Sequence, residues 1–169
     1  MSGVEIGMRK GILLIGALVA LSACSSGGDT GPEPVELTEE YGCGFGFYAS
    51  NEDQTTGLVL TYQDFDGAWA GNVSRSGQID AAWDAQLQFG TDLFANWCDD
   101  VLEPDEPTPE VESSWTLTGE IEVTDLPAAG QCGEAVASLH DVTAHGPVDQ
   151  VLELGDLTIT NTAWGCFAG

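Results

Sequence analysis

YGCGFGFY, Tyr41 to Tyr48, alternates without a break: Tyr41, Cys43, Phe45 and Phe47 fall on one side, Gly42, Gly44 and Gly46 on the other. A period of two is the repeat of a β-strand, whose successive side chains point to opposite faces. Beyond it, six more runs read as strands: GLVLTYQ (57–63), AWAGNV (68–73), AAWDAQLQF (81–89), SWTLTGEIEV (114–123), EAVASLHDV (134–142) and VLELGDLTITNTAWGCF (151–167). Turn chemistry separates them, in SNEDQ, DFDG and HGPVDQ. No long segment has a helical period, and TDLFANW (91–97) predicts one helical turn or two. Seven short strands with turn signals between them predict an all-β sandwich or barrel; a single antiparallel β-sandwich over residues 41–169 is the working expectation.

Five Trp and six Phe are enough aromatic material for one such core. The expected sandwich resembles immunoglobulin-like domains in strand count only, and that resemblance carries no function. Glycines in GCGFGF do not make a phosphate loop, because no Lys and no helix follow. A glycine face instead lets another backbone or a flat ring approach closely.

The amino terminus has a different texture. GILLIGALVALSA, Gly11 to Ala23, is uncharged and follows Arg9 and Lys10. As a helix it would span roughly 20 Å, short of the roughly 30 Å hydrocarbon core. A basic start, a short apolar run and small residues at its end make a secretory signal. Leu21-Ser22-Ala23-Cys24 closes it and resembles the lipobox of bacterial lipoproteins. The resemblance implies a diacylglyceryl group on Cys24, cleavage after Ala23 and a protein held by acyl chains at the outer face of the cytoplasmic membrane or at the cell surface. MSGVEIG is unlike such a start, whereas Met8 opens the compact MRKGILLIG, so Met8 is the expected initiator. Residues 1–23 are then the signal peptide. Residues 24–40, with SSGGDTGPEPVELTEE after the Cys, form a flexible acidic tether with a reach on the order of 20 Å.

Lipidation of Cys24 also settles a parity problem. Of five cysteines, four remain: Cys43, Cys98, Cys132 and Cys166, an even set suited to an oxidising compartment. A hairpin about HGPVDQ sets Cys132 opposite Cys166, and up-and-down strand order then puts Cys43 and Cys98 together at the other end. Two other pairings stay open.

The mature chain would keep one basic residue, Arg75, against 27 carboxylates, a side-chain balance of −26. Ion pairs therefore cannot hold this fold together, and its self-repulsion works against compaction. Nucleic acid is excluded as a partner, since no basic patch exists to displace phosphate counterions. Anionic headgroups repel the domain too, leaving acyl chains as its membrane attachment. Cations, basic proteins and envelope glycans remain as partners.

Motifs for chemistry are few. Cys98 to Glu112, CDDVLEPDEPTPEVE, carries Asp99, Asp100, Glu103, Asp105, Glu106, Glu110 and Glu112, material for a hard cation such as calcium. Its three prolines extend the chain, however, and no D-x-D-x-D-G spacing is present, which favours a solvated acidic loop. Asp64-Phe65-Asp66-Gly67 reads as a hairpin turn rather than half a calcium loop. His140 and His145, five apart on a strand, should face opposite sides and so cannot share a zinc ion. No G-x-S-x-G elbow supplies a serine nucleophile for His140-Asp141. Trp69, Trp83 and Trp164 could grip a sugar if exposed, although core packing suits most of them. The expectation is a non-catalytic binding or interaction module without a cofactor. A secreted hydrolase with an unidentified acid pair and a purely structural acidic envelope protein are the alternatives.

Overall fold

A computed structural model describes residues 35–99 and 105–167. Cys24, the signal segment, most of the tether, and Asp100 and Glu103 of the acidic stretch lie outside the described residues. The strands are β1 (Glu39–Tyr41), β2 (Gly46–Ser50), β3 (Thr56–Tyr62), β4 (Ser76–Gln78), β5 (Trp83–Thr91), β6 (Glu110–Thr124), β7 (Gly133–His145) and β8 (Val151–Trp164). Two short helices, α1 (Phe65–Trp69) and α2 (Ile79–Ala82), lie between β3 and β5.

The expected sandwich is corrected: there is one antiparallel sheet, in the order β1-β2-β3-β5-β6-β7-β8, with β4 pairing beside it on β6. That sheet curls into a nearly closed barrel. Its last three strands are 15, 13 and 14 residues long, and long strands accumulate twist. Register shifts at Phe89/Gly90, Thr118/Glu120 and Leu139/Val142 are the irregularities that bend a strand. A sheet that coils this far covers its own apolar face and needs no second layer.

YGCGFGFY forms the seam, and it is two strands rather than one. β1 ends at Tyr41, the chain turns through Gly44 at φ +60°, and β2 begins at Gly46. Tyr41 therefore lies across from Tyr48. At the turn Gly44 makes a parallel bridge with Trp164; its N–H donates to Cys166 O at 2.7 Å, and its carbonyl accepts from Gly165 N at 2.9 Å. The fully buried Asn161 plugs the remaining gap: its Nδ2 donates to Gly46 O at 2.6 Å, and its Oδ1 accepts from Ala163 N at 2.7 Å. A Cβ on Gly42 would collide with Asn161 Oδ1 and lie 2.7 Å from Thr162 N. Gly42→Val is therefore expected to pry the seam open and cost about 2 kcal/mol, read as a lower urea midpoint. An unchanged midpoint would show that the seam tolerates separation.

Inside the barrel, Phe45, Phe47, Leu58, Leu60, Tyr62, Trp83, Leu87, Leu117, Leu139 and Trp164 form the core. Phe47 lies 5.8 Å from Trp83 and 5.2 Å from Trp164, so aromatic rings fill the barrel interior at the end where β5 begins and β8 ends. Folded structure begins before residue 41: Val35 and Leu37 pack on this core, and Thr38 N donates to Ser50 O at 2.8 Å. Two apolar residues among acids were too sparse a signal to mark that boundary. Residues 35–40 therefore belong to the folded domain and not to the expected tether.

A second apolar cluster lies outside the sheet. Residues 92–98 fold as successive turns, Ala95 N to Asp92 O at 2.9 Å and Trp97 N to Phe94 O at 3.1 Å, rather than as a helix. They lay Phe94 on Tyr41 at 4.7 Å and Trp97 on Tyr48 at 4.4 Å. Burial there pushes the Tyr48 hydroxyl above its usual pKa range, partly offset by a hydrogen bond with Thr61. Cys43–Cys98 pins this segment, and Cys132–Cys166 ties β7 to β8. Both pairs are those expected, but their placement differs. Gly44 bonds to Cys166, so the two bridges flank the same seam instead of opposite ends. Two disulfides mark an oxidising, extracytoplasmic setting. Among the described residues no helix is long and apolar enough to cross a membrane.

Candidate functional site

One mouth of the barrel gathers the strand ends at Gly46, Tyr62, Trp83, Thr124, Gly133 and Trp164. DFDG lies here and is not a hairpin turn. Asp64 caps α1, its carboxylate accepting from Gly67 N at 2.9 Å, so AWAGNV opens in a helix and is not a strand. The cap outcompetes the turn because β3 pairs with β5, not with residues 68–73, and the intervening chain must cross the mouth.

Phe65 and Trp69, four residues apart, share one helical face and stay about half exposed, at 48% and 50%. Phe167, just after Cys166, is 59% exposed. All three rings surround Phe45, which is 4% exposed, with centroids at 6.1, 6.3 and 5.4 Å. On its inner side Phe45 meets Trp164 at 5.4 Å, so the cluster continues into the core. The support is rigid. Trp69 O accepts from Gly130 N at 2.9 Å, Tyr62 Oη donates to Asn72 O at 3.1 Å, and the Cys132–Cys166 bridge holds the segment that carries Phe167. Of the three tryptophans proposed for ligand contact, only Trp69 reaches solvent; Trp83 and Trp164 are buried. Phe65 and Phe167 were missed, although the spacing of Phe65 and Trp69 after a capping Asp was a helical signal within DFDGAW.

Other candidates come together less well. His140 Nδ1 lies 3.6 Å from Asp156 Oδ2, and Asp156 Oδ1 accepts from Asp141 N at 3.1 Å. Asp141, at φ +51°, is an extra residue in the β7–β8 register, so His140 and His145 are both exposed on the outer face. Strict alternation had put them on opposite sides, and the bulge reverses that. They remain apart, His140 opposite Glu120 and His145 opposite Thr116, with His145 Nε2 hydrogen-bonded to Thr118 Oγ1 at 2.9 Å. Among the described residues no group of three His, Cys, Asp or Glu could hold a metal ion. The acidic stretch is partly strand, because β6 begins at Glu110. Among the described side chains no Asp or Glu is buried, so a hydrolytic acid pair with one buried member has no candidate there.

A shallow, largely apolar groove of about 340 Å³ lies beside the outer cluster, lined by Gln88, Leu93, Asn96, Trp97, Pro109 and Val111. Trp97 Nε1 is buried without a hydrogen-bond partner. No protein-family model, curated protein or solved structure matches this chain.

Proposed function

We propose that the mature protein is a lipid-anchored, extracytoplasmic, non-catalytic binding module whose ligand docks on the aromatic mouth. The observation that carries this reading is the set of three half-exposed rings, Phe65, Trp69 and Phe167, held around Phe45. Three such rings expose on the order of 300 Å² of aromatic surface, the size of the largest apolar patch on a typical monomer, which is often functional. Backbone hydrogen bonds and a disulfide hold the segments that carry them. Lipidation of Cys24 supplies the anchor, and the two disulfides suit the compartment outside the membrane.

Thermal denaturation of the full chain against isolated envelope polysaccharides and small cations tests the site. A ligand should raise the midpoint by several degrees in the parent and leave the Trp69→Ala/Phe167→Ala variant unshifted. The variant itself should lose no more than about 1 kcal/mol, because both side chains are exposed. An equal ligand shift in both proteins would move the site elsewhere. Cys24→Ser should release the protein from the membrane fraction, and retention of that variant would remove the lipid anchor from the account.

A further inference from the structure

The aromatic mouth also restricts the chemistry of its ligand, and this step rests on the binding role proposed above. Phe65, Trp69 and Phe167 are inclined to Phe45 by 61°, 66° and 79°. Each is an edge-to-face contact that leaves the outer ring about half exposed, and an exposed aromatic face attracts positive charge within about 6 Å of its centroid. Asp64 and Asp66 lie on the segment that carries two of the rings; Asp64 is engaged as the helix cap, while Asp66 is exposed. Arg75, the single cation left after signal removal, lies toward the mouth end of β6, its carbonyl accepting from Val123 N at 2.7 Å.

Charge then separates the ligand classes. A mature chain carrying one Arg against 27 carboxylates concentrates cations and expels phosphate- or carboxylate-bearing ligands. A hard, strongly hydrated ion gains little from aromatic faces, and no described cluster of ligating side chains offers it a seat. A cation with an apolar coat satisfies both the rings and the field. We infer that this mouth binds an organic ammonium ion, a quaternary or methylated ammonium group, seated among Phe65, Trp69 and Phe167 with Asp66 as counter-charge.

Calorimetric titration of the full chain with tetramethylammonium chloride tests this, with sodium chloride and the uncharged counterpart neopentyl alcohol as controls at matched ionic strength. Saturable heat is expected for tetramethylammonium alone. Its Kd should rise at least about tenfold in Trp69→Ala and severalfold in Asp66→Asn, while Trp69→Phe, which keeps a ring, retains most of the affinity. Equal binding of neopentyl alcohol, or a Kd unchanged in Trp69→Ala, would overturn the assignment. Trp69-dependent binding of a neutral envelope sugar with no response to tetramethylammonium would overturn the cation assignment and leave the binding role standing. Silence toward every probe would overturn both.

Discussion

Reduction of both disulfides unfolds the barrel at about 37 °C in low salt. The bridges close loops of 55 and 34 residues, and constraining the unfolded chain over such lengths contributes about 4 kcal/mol each. A domain of this size has roughly 5–15 kcal/mol in total, so losing both consumes most of the margin. Location adds to the effect. Cys132–Cys166 holds the end of β8 against β7, where Gly44 and Cys166 make the hydrogen bond that closes the seam. Beyond residue 10 one basic residue, Arg75, stands against 27 carboxylates, so there are almost no ion pairs to take over. Far-UV circular dichroism with and without reductant, over a urea series, measures the change. Roughly 1 M sodium chloride should restore part of the lost stability, since screening at about 3 Å weakens the self-repulsion. A reduced protein with the parent's urea midpoint would show that strand pairing alone suffices.

Trp164→Ala is the second large effect, with an expected loss of about 3–5 kcal/mol. Trp164 is 2% exposed and packs against Phe45 at 5.4 Å, Phe47 at 5.2 Å and Trp83 at 6.2 Å. Removing it leaves a cavity where the interior of the barrel meets the seam, and large rings on three sides cannot collapse into it. Trp164→Phe should recover part of the loss by restoring one ring. Urea denaturation of both variants beside Trp69→Ala provides the comparison: a core ring costs several kcal/mol, a mouth ring little. If Trp164→Ala and Trp69→Ala cost the same, the division between packing ring and binding ring fails.

Much of the sheet was legible. Alternation located β3, β5, β6, β7 and β8 to within a few residues, because each strand buries one face and period two records which. Other readings failed where a local rule met a longer-range constraint. DFDG carries a hairpin signal, but its two flanks never pair, and Asp64 caps a helix instead. His140 and His145 were assigned by strict alternation, which one extra residue at Asp141 undoes. The candidate site was half visible: Trp69 was named, whereas Phe65 was absorbed into a turn and Phe167 into a strand.

The amino-acid sequence by itself determined an all-β chain, its acidic character and the inward faces of β3 and β5, because each follows from composition or from neighbours two residues apart. Only the tertiary structure decided that a single sheet closes on itself, that YGCGFGFY breaks into a seam and that Phe45 collects three exposed rings around it. Closure depends on accumulated twist, on bulges and on meetings such as Thr160 N with Glu40 Oε2 at 3.2 Å, across 120 residues of chain. No local periodicity encodes an encounter at that separation.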